Sequence, residues 1–551
     1  MKKTAVLFLL VFISARLFAQ GTFSGDLMMN LNFFQRDTNI KASGNPLYDN
    51  YLSGSEGWLD MRYNVNGFTF FLRADAFNNS NLKNPTSAST DFGVGAWSVS
   101  KDMKDLTITV GSIYDQVGSG ILFRAYEDRG LLIDNALVGI ELKYKLTNDI
   151  ILKGFTGQQK DNSNGQVNNS RYGPVIKGLN AEGDFSSGKL HIIPGAGVLN
   201  RTLDQVSYDG VAATIISQDS DHHFTPVYNM YAFCVYNTLT YKNLSWYIEG
   251  DYKTREAVEE YDTIYNKPGN VEYTSINYGK KGIALSLTGK RTEDFVMRTS
   301  PNETLLNGML NWQPIVAVLR PERLMSRYTP ASQDISEIAG TANLLLSPND
   351  VTNFALTYTN INTLGNMGIA SLDNQKLYRE AYVEGNYQGL KDWLFTAGAQ
   401  YLEYNMVLYQ QRLPDGAPIL YAITPFAEIT YRLSEHKSFR AELQYQDTKQ
   451  DYGSWAYALL EYDFAPKWSV SVSDMYNTVI NKNPDNPNYS DAGFATKKAQ
   501  NYYNVYAAYT KGPHRFSLAY VKQVDGINCT GGVCRYEPAF SGVKATITTS
   551  F

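Results

Sequence analysis

The sequence predicts an all-β fold: a transmembrane antiparallel β-barrel of about 24 strands, give or take two, with short periplasmic turns and long extracellular loops. Three observations carry that expectation. Segments from Thr22 to the C-terminus alternate apolar and polar residues with a period of two. The connections between them alternate short and long. Beyond Phe18, no apolar run approaches the roughly 20 residues that a spanning helix needs.

The N-terminus reads as a secretory signal, residues 1–19. Lys2 and Lys3 are followed by an apolar stretch, Ala5 to Ile13, and by Leu17-Phe18-Ala19 ahead of Gln20. The remainder, 20–551, shows no linker, charge block or low-complexity break and is expected to be a single barrel domain. With 40 Tyr, 26 Phe and only 19% charged residues, the composition suits a wall of strands with aromatic girdles at two membrane interfaces.

The first strand is expected from about Thr22 to Arg36, with Phe23, Leu27, Met29, Leu31 and Phe33 on one face and Ser24, Asp26, Asn30 and Asn32 on the other. The same rhythm recurs at Ala136 to Lys145, Leu244 to Lys253 and Phe439 to Gln446, and the polar rows carry both signs of charge. Short turns fall at Asn66-Gly67, Asn148-Asp149, Ser187-Gly188, Lys242-Asn243, Ser347 to Asp350, Lys391-Asp392, Ala465-Pro466 and Lys511 to Pro513. Longer polar segments lie between: Asp37 to Ser53, Asn78 to Ser89, Asp161 to Ser170, Arg201 to Phe224, Glu259 to Tyr273 and Ile480 to Lys498. The pattern fails between Thr292 and Ser336, where Pro314, Pro321 and Pro330 bar a central strand. An inward-folded loop, a short helix and a surface loop all fit that piece.

The chain ends in SGVKATITTSF. Val543, Ala545, Ile547 and Phe551 share one face, which makes a strand finishing flush on an aromatic. This end resembles the closing strand of outer-membrane β-barrels, and the resemblance implies that Phe551 is read by the barrel-assembly machinery.

One stretch stands out chemically. In Gly111 to Asn135, a strand leads to Tyr114, then Gly118-Ser119-Gly120, then Arg124, Tyr126, Glu127, Asp128, Arg129, Asp134 and Asn135. Such a loop, bent inward, would line a constriction with charge. Alternatively, its two arginines and three acids satisfy one another in a structural loop. The block YDQVGSG…FRAYEDRGLLIDNALVG (Tyr114 to Gly139) and the end GINCTGGVCRYEPAFSGV (Gly526 to Val543), with LNWQP at Leu310, resemble an uncharacterised family of Bacteroidota outer-membrane β-barrels, a domain-of-unknown-function family. That resemblance implies the fold and an address in the bacterial outer membrane. It implies no activity.

Three cysteines leave little redox chemistry. Cys529 and Cys534, separated by Gly531 and Gly532 on a loop in an oxidising compartment, are disulfide candidates, and Cys234 reads as an apolar filler within a strand. No metal site and no cofactor are expected. Asp221-His222-His223 reads as a solvated loop cluster, and no GxSxG, HExxH or phosphate-cradling motif supports an enzyme. A net charge of −5 argues against nucleic acid. The expected function is a porin-like channel or conduit for small polar solutes, with outer-membrane lipid around it. The alternative is a structural or accessory barrel, scaffolding a surface complex or secretion apparatus.

Overall fold

The computed structural model describes residues 21–551 except 83, 85–86, 162–166, 168–169, 261–262, 305, 334, 365–375, 411–418, 481–498 and 531–532. The expected signal segment 1–19 and nearly all of the expected loop from Ile480 to Lys498 therefore lie outside the described residues.

The wall is one continuous antiparallel sheet of 25 hydrogen-bonded segments. Phe185–Ser187 prolongs Arg171–Gly183 along the same neighbour, Leu190–Thr202, so the staves number 24. Thr22–Phe34 pairs on one side with Ser53–Val65 and on the other with the terminal strand Phe540–Ser550, with Asp26 opposite Ser550. The ladder runs to the last residue. Phe551 donates its N–H to the Gly25 carbonyl and accepts from the Gly25 N–H, each at 2.9 Å. Its ring lies 6.0 Å from that of Phe23. The sheet is thus a closed barrel, with no unpaired edge to expose backbone groups to hydrocarbon.

The two faces of the wall invert the usual soluble pattern. Along Lys437–Gln446, Phe439, Leu443 and Tyr445 point outward and are exposed, Leu443 to 63%, while Glu442, Gln444 and Gln446 point inward and are buried. Along Thr352–Thr363, Phe354, Leu356 and Tyr358 are exposed, while Thr357 and Thr359 are buried. An apolar belt outside and a polar lining inside is the amphipathicity that lipid selects. Aromatic clusters sit beside the short turns, Trp393 with Tyr431 at 4.4 Å and Trp468 with Tyr509 at 4.8 Å, as an interfacial girdle should. Among the described residues no helix is long and apolar enough to cross a membrane.

All eight expected short turns join neighbouring strands at one rim. Asn66-Gly67 shows why: both residues have positive φ, 50° and 74°, the conformation of a tight hairpin matched to strand twist. One expected loop is corrected. Glu259 to Tyr273 is largely strand, because Leu244–Glu260 and Thr263–Lys280 stay paired from Glu260↔Thr263 downward, with a register shift between Lys253 and Glu256 opposite Pro268. The register shift interrupts the alternation along this hairpin, so its sequence reads as loop. The helix Gln205–Ile216 packs on it through Val211 and Ile215 against Ala257 and Ile264.

Candidate functional site: two loop segments inside the bore

The inward rows toward the long-loop rim are buried because chain fills the space they surround. Residues 114–136 leave the strand Leu106–Ile113 and fold across the bore. Val117, Ile121, Leu122 and Phe123 pack on the inward side chains Phe155, Leu199 and Met230, with the Phe123 and Phe155 rings 4.6 Å apart. Gly118 and Gly120 take φ of 56° and 100°, a conformation glycine accepts most readily. Nearer the short turns, inward residues such as Ser100 and Thr109 remain half-exposed, leaving a polar vestibule.

The charged set forms a compact network with the wall. Asp134 accepts from Arg73 Nη2 and Lys160 Nζ at 2.5 Å each, and from the Tyr114 hydroxyl at 2.8 Å. Arg73 also grips Asp75 at 2.7 Å and Glu127 at 3.0 Å. Arg129 bridges Glu127 at 2.8 Å and Asp60 at 3.0 Å. A cleft lies among Trp58, Arg73, Glu127, Arg129, Asp134 and Lys160. Burial would push the Asp134 carboxyl up, but Lys160 and Arg73 outweigh it and hold the group below its ordinary value. Burial raises the Tyr126 phenol to about 12, against the pull of Arg124, so it stays neutral.

Arg124 and Asn135 do different work. The Arg124 guanidinium lies between two rings, 4.6 Å from Tyr126 and 4.5 Å from Trp312. Asn135 is a brace: its amide accepts from the Tyr126 N–H at 2.6 Å and donates to the Arg124 and Met309 carbonyls at 3.2 and 3.1 Å.

Met309 and Trp312 belong to the second inward piece, residues 294–336, whose placement the sequence left open. It is anchored around the opposite wall. Lys253 and Lys290 donate to the Val296 and Pro314 carbonyls at 2.8 and 3.0 Å, and Arg320 pairs with Glu380 at 2.8 Å under the ring of Tyr382. The Leu324 N–H donates to Gln444 at 2.8 Å, and Tyr328 donates to Asp451 at 2.8 Å. The two pieces join backbone to backbone: Trp312 N–H to the Gly120 carbonyl at 3.0 Å and Arg124 N–H to the Leu310 carbonyl at 2.9 Å. A third piece, the hairpin Gly526–Thr530 with Val533–Glu537, closes over Leu131 and Ile133 through Val533. Cys534 in it is disulfide-bonded, with Cys529 across from it in register.

All seven residues singled out in the sequence, Tyr114, Arg124, Tyr126, Glu127, Arg129, Asp134 and Asn135, thus meet inside the bore. The loop bends inward, and Glu127, Arg129 and Asp134 pair within it or with the wall. Sequence reasoning missed the wall partners Asp60, Arg73, Asp75 and Lys160. A signal existed for two of them, since Arg73 and Asp75 fall two apart on the polar row of an alternating strand.

A closed wall with an outward apolar belt and loops packed into its bore defines the class, a large outer-membrane-type β-barrel. The chain belongs to a family of unknown function, DUF6029, which it matches over residues 1–551. A search of curated proteins finds no match. Among solved structures, the chain is similar to the siderophore receptor PirA from Pseudomonas aeruginosa, at 9% identity and a TM-score of 0.42, over 96% of this chain and 80% of that one. It is also similar to the copper transporter OprC (9% identity, TM-score 0.43, 97% and 81% covered) and to the translocation pore of the P pilus usher PapC (9% identity, TM-score 0.39, 96% and 99% covered). At such scores the fold rests on its own ladders.

Proposed function

We propose that this barrel is an outer-membrane conduit for small polar solutes, held shut in this conformation by its own loops. One observation carries the reading: a wall of this many strands is too wide for its side chains to fill, and its lining is polar from the vestibule up to the inward segments. A polar bore has a use where water and solute pass.

The test is conductance in planar bilayers of the intact chain beside a variant in which residues 116–134 are replaced by a short Gly-Ser turn. The expected result is rare openings for the intact chain and a lasting increase for the variant. A variant that inserts, keeps its wall and still passes no ions overturns the reading. The structural or accessory alternative draws support from the buried ion pairs that tie the segments down. A shortened variant that conducts, beside an intact chain that stays silent at every voltage, favours it.

A further inference from the structure

Beneath the Gly118-Ser119 turn lies a cluster that the charge network above does not use. Cys234, on Asn229–Tyr241, faces Asp251, on Leu244–Glu260, directly across the ladder; Glu249 lies two residues along on the same inward row. One ligand atom from each lies within 4.8 Å of the others, and all three residues are buried. Among the described residues, neither oxygen of Asp251, itself 95% buried, has a hydrogen-bond partner, nor does Oε1 of Glu249. Among the described residues no ion pair reaches either carboxylate. Lys253, next on the row, is bonded instead to Glu256 and the Val296 carbonyl.

The remaining oxygen of Glu249 is held firmly. It accepts from the Ser119 N–H at 3.1 Å and the Tyr247 hydroxyl at 2.6 Å. The turn fits closely over the cluster: a Cβ on Gly118 would stand 2.5 Å from Glu249 Oε1, and one on Gly197 would stand 3.0 Å from Cys234 Sγ. Two adjacent buried carboxylates with bare oxygens are costly unless a cation joins them or protons neutralise them.

We propose that Cys234, Glu249 and Asp251 bind a divalent cation of the zinc class, with Tyr247 and the Ser119 N–H orienting Glu249. The ligand types decide the class. A thiolate excludes the hard, oxygen-seeking Ca²⁺ and Mg²⁺, whereas sulfur with carboxylate oxygen suits borderline Zn²⁺ and its probe Co²⁺. The fixed second oxygen of Glu249 is the outer-shell support such sites use. Because that carboxylate also holds Ser119, the ion would pin the turn of the inward segment to the wall. The site stands whether or not the barrel conducts.

The experiment refolds the full mature chain into detergent with Co²⁺ present and records the thiolate-to-Co²⁺ charge-transfer band. The expected result is about one Co²⁺ per folded chain, displaced by Zn²⁺. Cys234 is the free thiol among the described residues, so Cys234→Ser should abolish the band. Asp251→Asn should weaken binding at least ~10-fold. Heat-modifiable migration on gels reports folding independently. A folded wild-type barrel that gives no band at millimolar Co²⁺ overturns the proposal and makes the acids a protonated pair. A band that survives in Cys234→Ser overturns it as well. Should a variant fail to fold, the metal count of the wild type decides alone.

Discussion

Three donors converge on the carboxylate of Asp134, two of them cations from different strands of the wall. Asp134→Asn removes the charge and leaves Arg73 and Lys160 buried beside a neutral amide, a change that costs about 3–5 kcal/mol for a buried pair. The expected outcome is a lower temperature for loss of heat-modifiable migration, with more frequent openings in bilayers. The pH dependence has a definite sign. A carboxyl held below its unfolded value of about 3.9 contributes stability above that value and loses it as pH falls through the lower folded value. Openings should therefore be as rare at pH 5 as at pH 7, and should increase only under stronger acid. Arg124 and Arg129 invite a different measurement. Replacing both with Gln in the Asp134→Asn variant, which keeps the loop, should shift the ion selectivity of its openings toward cations; unchanged selectivity would mean that neither faces the permeating path. These residues were legible because they crowd into one block of sequence. Their partners were not, since which inward residue of a distant strand meets Asp134 depends on register, and local pattern does not record register between strands.

The inward pieces lack any repeat, and that is why sequence left residues 294–336 undecided. The second piece is held by side chains of Lys253, Lys290 and Gln444 reaching across from the wall to its backbone. Asn135 is the point where the two pieces depend on one side chain. Asn135→Ala strands the Tyr126 N–H and takes a donor from the Arg124 carbonyl and from the Met309 carbonyl, which keeps Gln159, at a cost of about 1–3 kcal/mol for each group left unsatisfied. Limited proteolysis should then cut within 114–136 while the wall keeps its heat-resistant migration. The wall itself was readable strand by strand, since lipid outside and water inside impose alternation at every stave. The exception marks the boundary of that rule: Glu256 pairs with Lys267 beyond a register shift, and polar composition there looks like loop.

For the molecule as a whole, closure depends on one seam, where the first and last strands meet. Phe551 completes it with both backbone groups and its ring. Deleting Phe551 should reduce the fraction of heat-modifiable barrel in the membrane several-fold, read on gels after mild extraction; a full yield would show that the seam closes without it. The seam was visible in the sequence as a strand that ends on an aromatic, whereas the filling of the bore was not, because width alone does not say what occupies it. The backbone link between the inward pieces has a kinetic consequence. Trp312 and Gly120, like Arg124 and Leu310, share bonds that neither piece can keep if the other withdraws. A latch common to two doors gives no half-open position, so current through a single molecule should arrive in one abrupt jump and vanish the same way, never in a graded ramp.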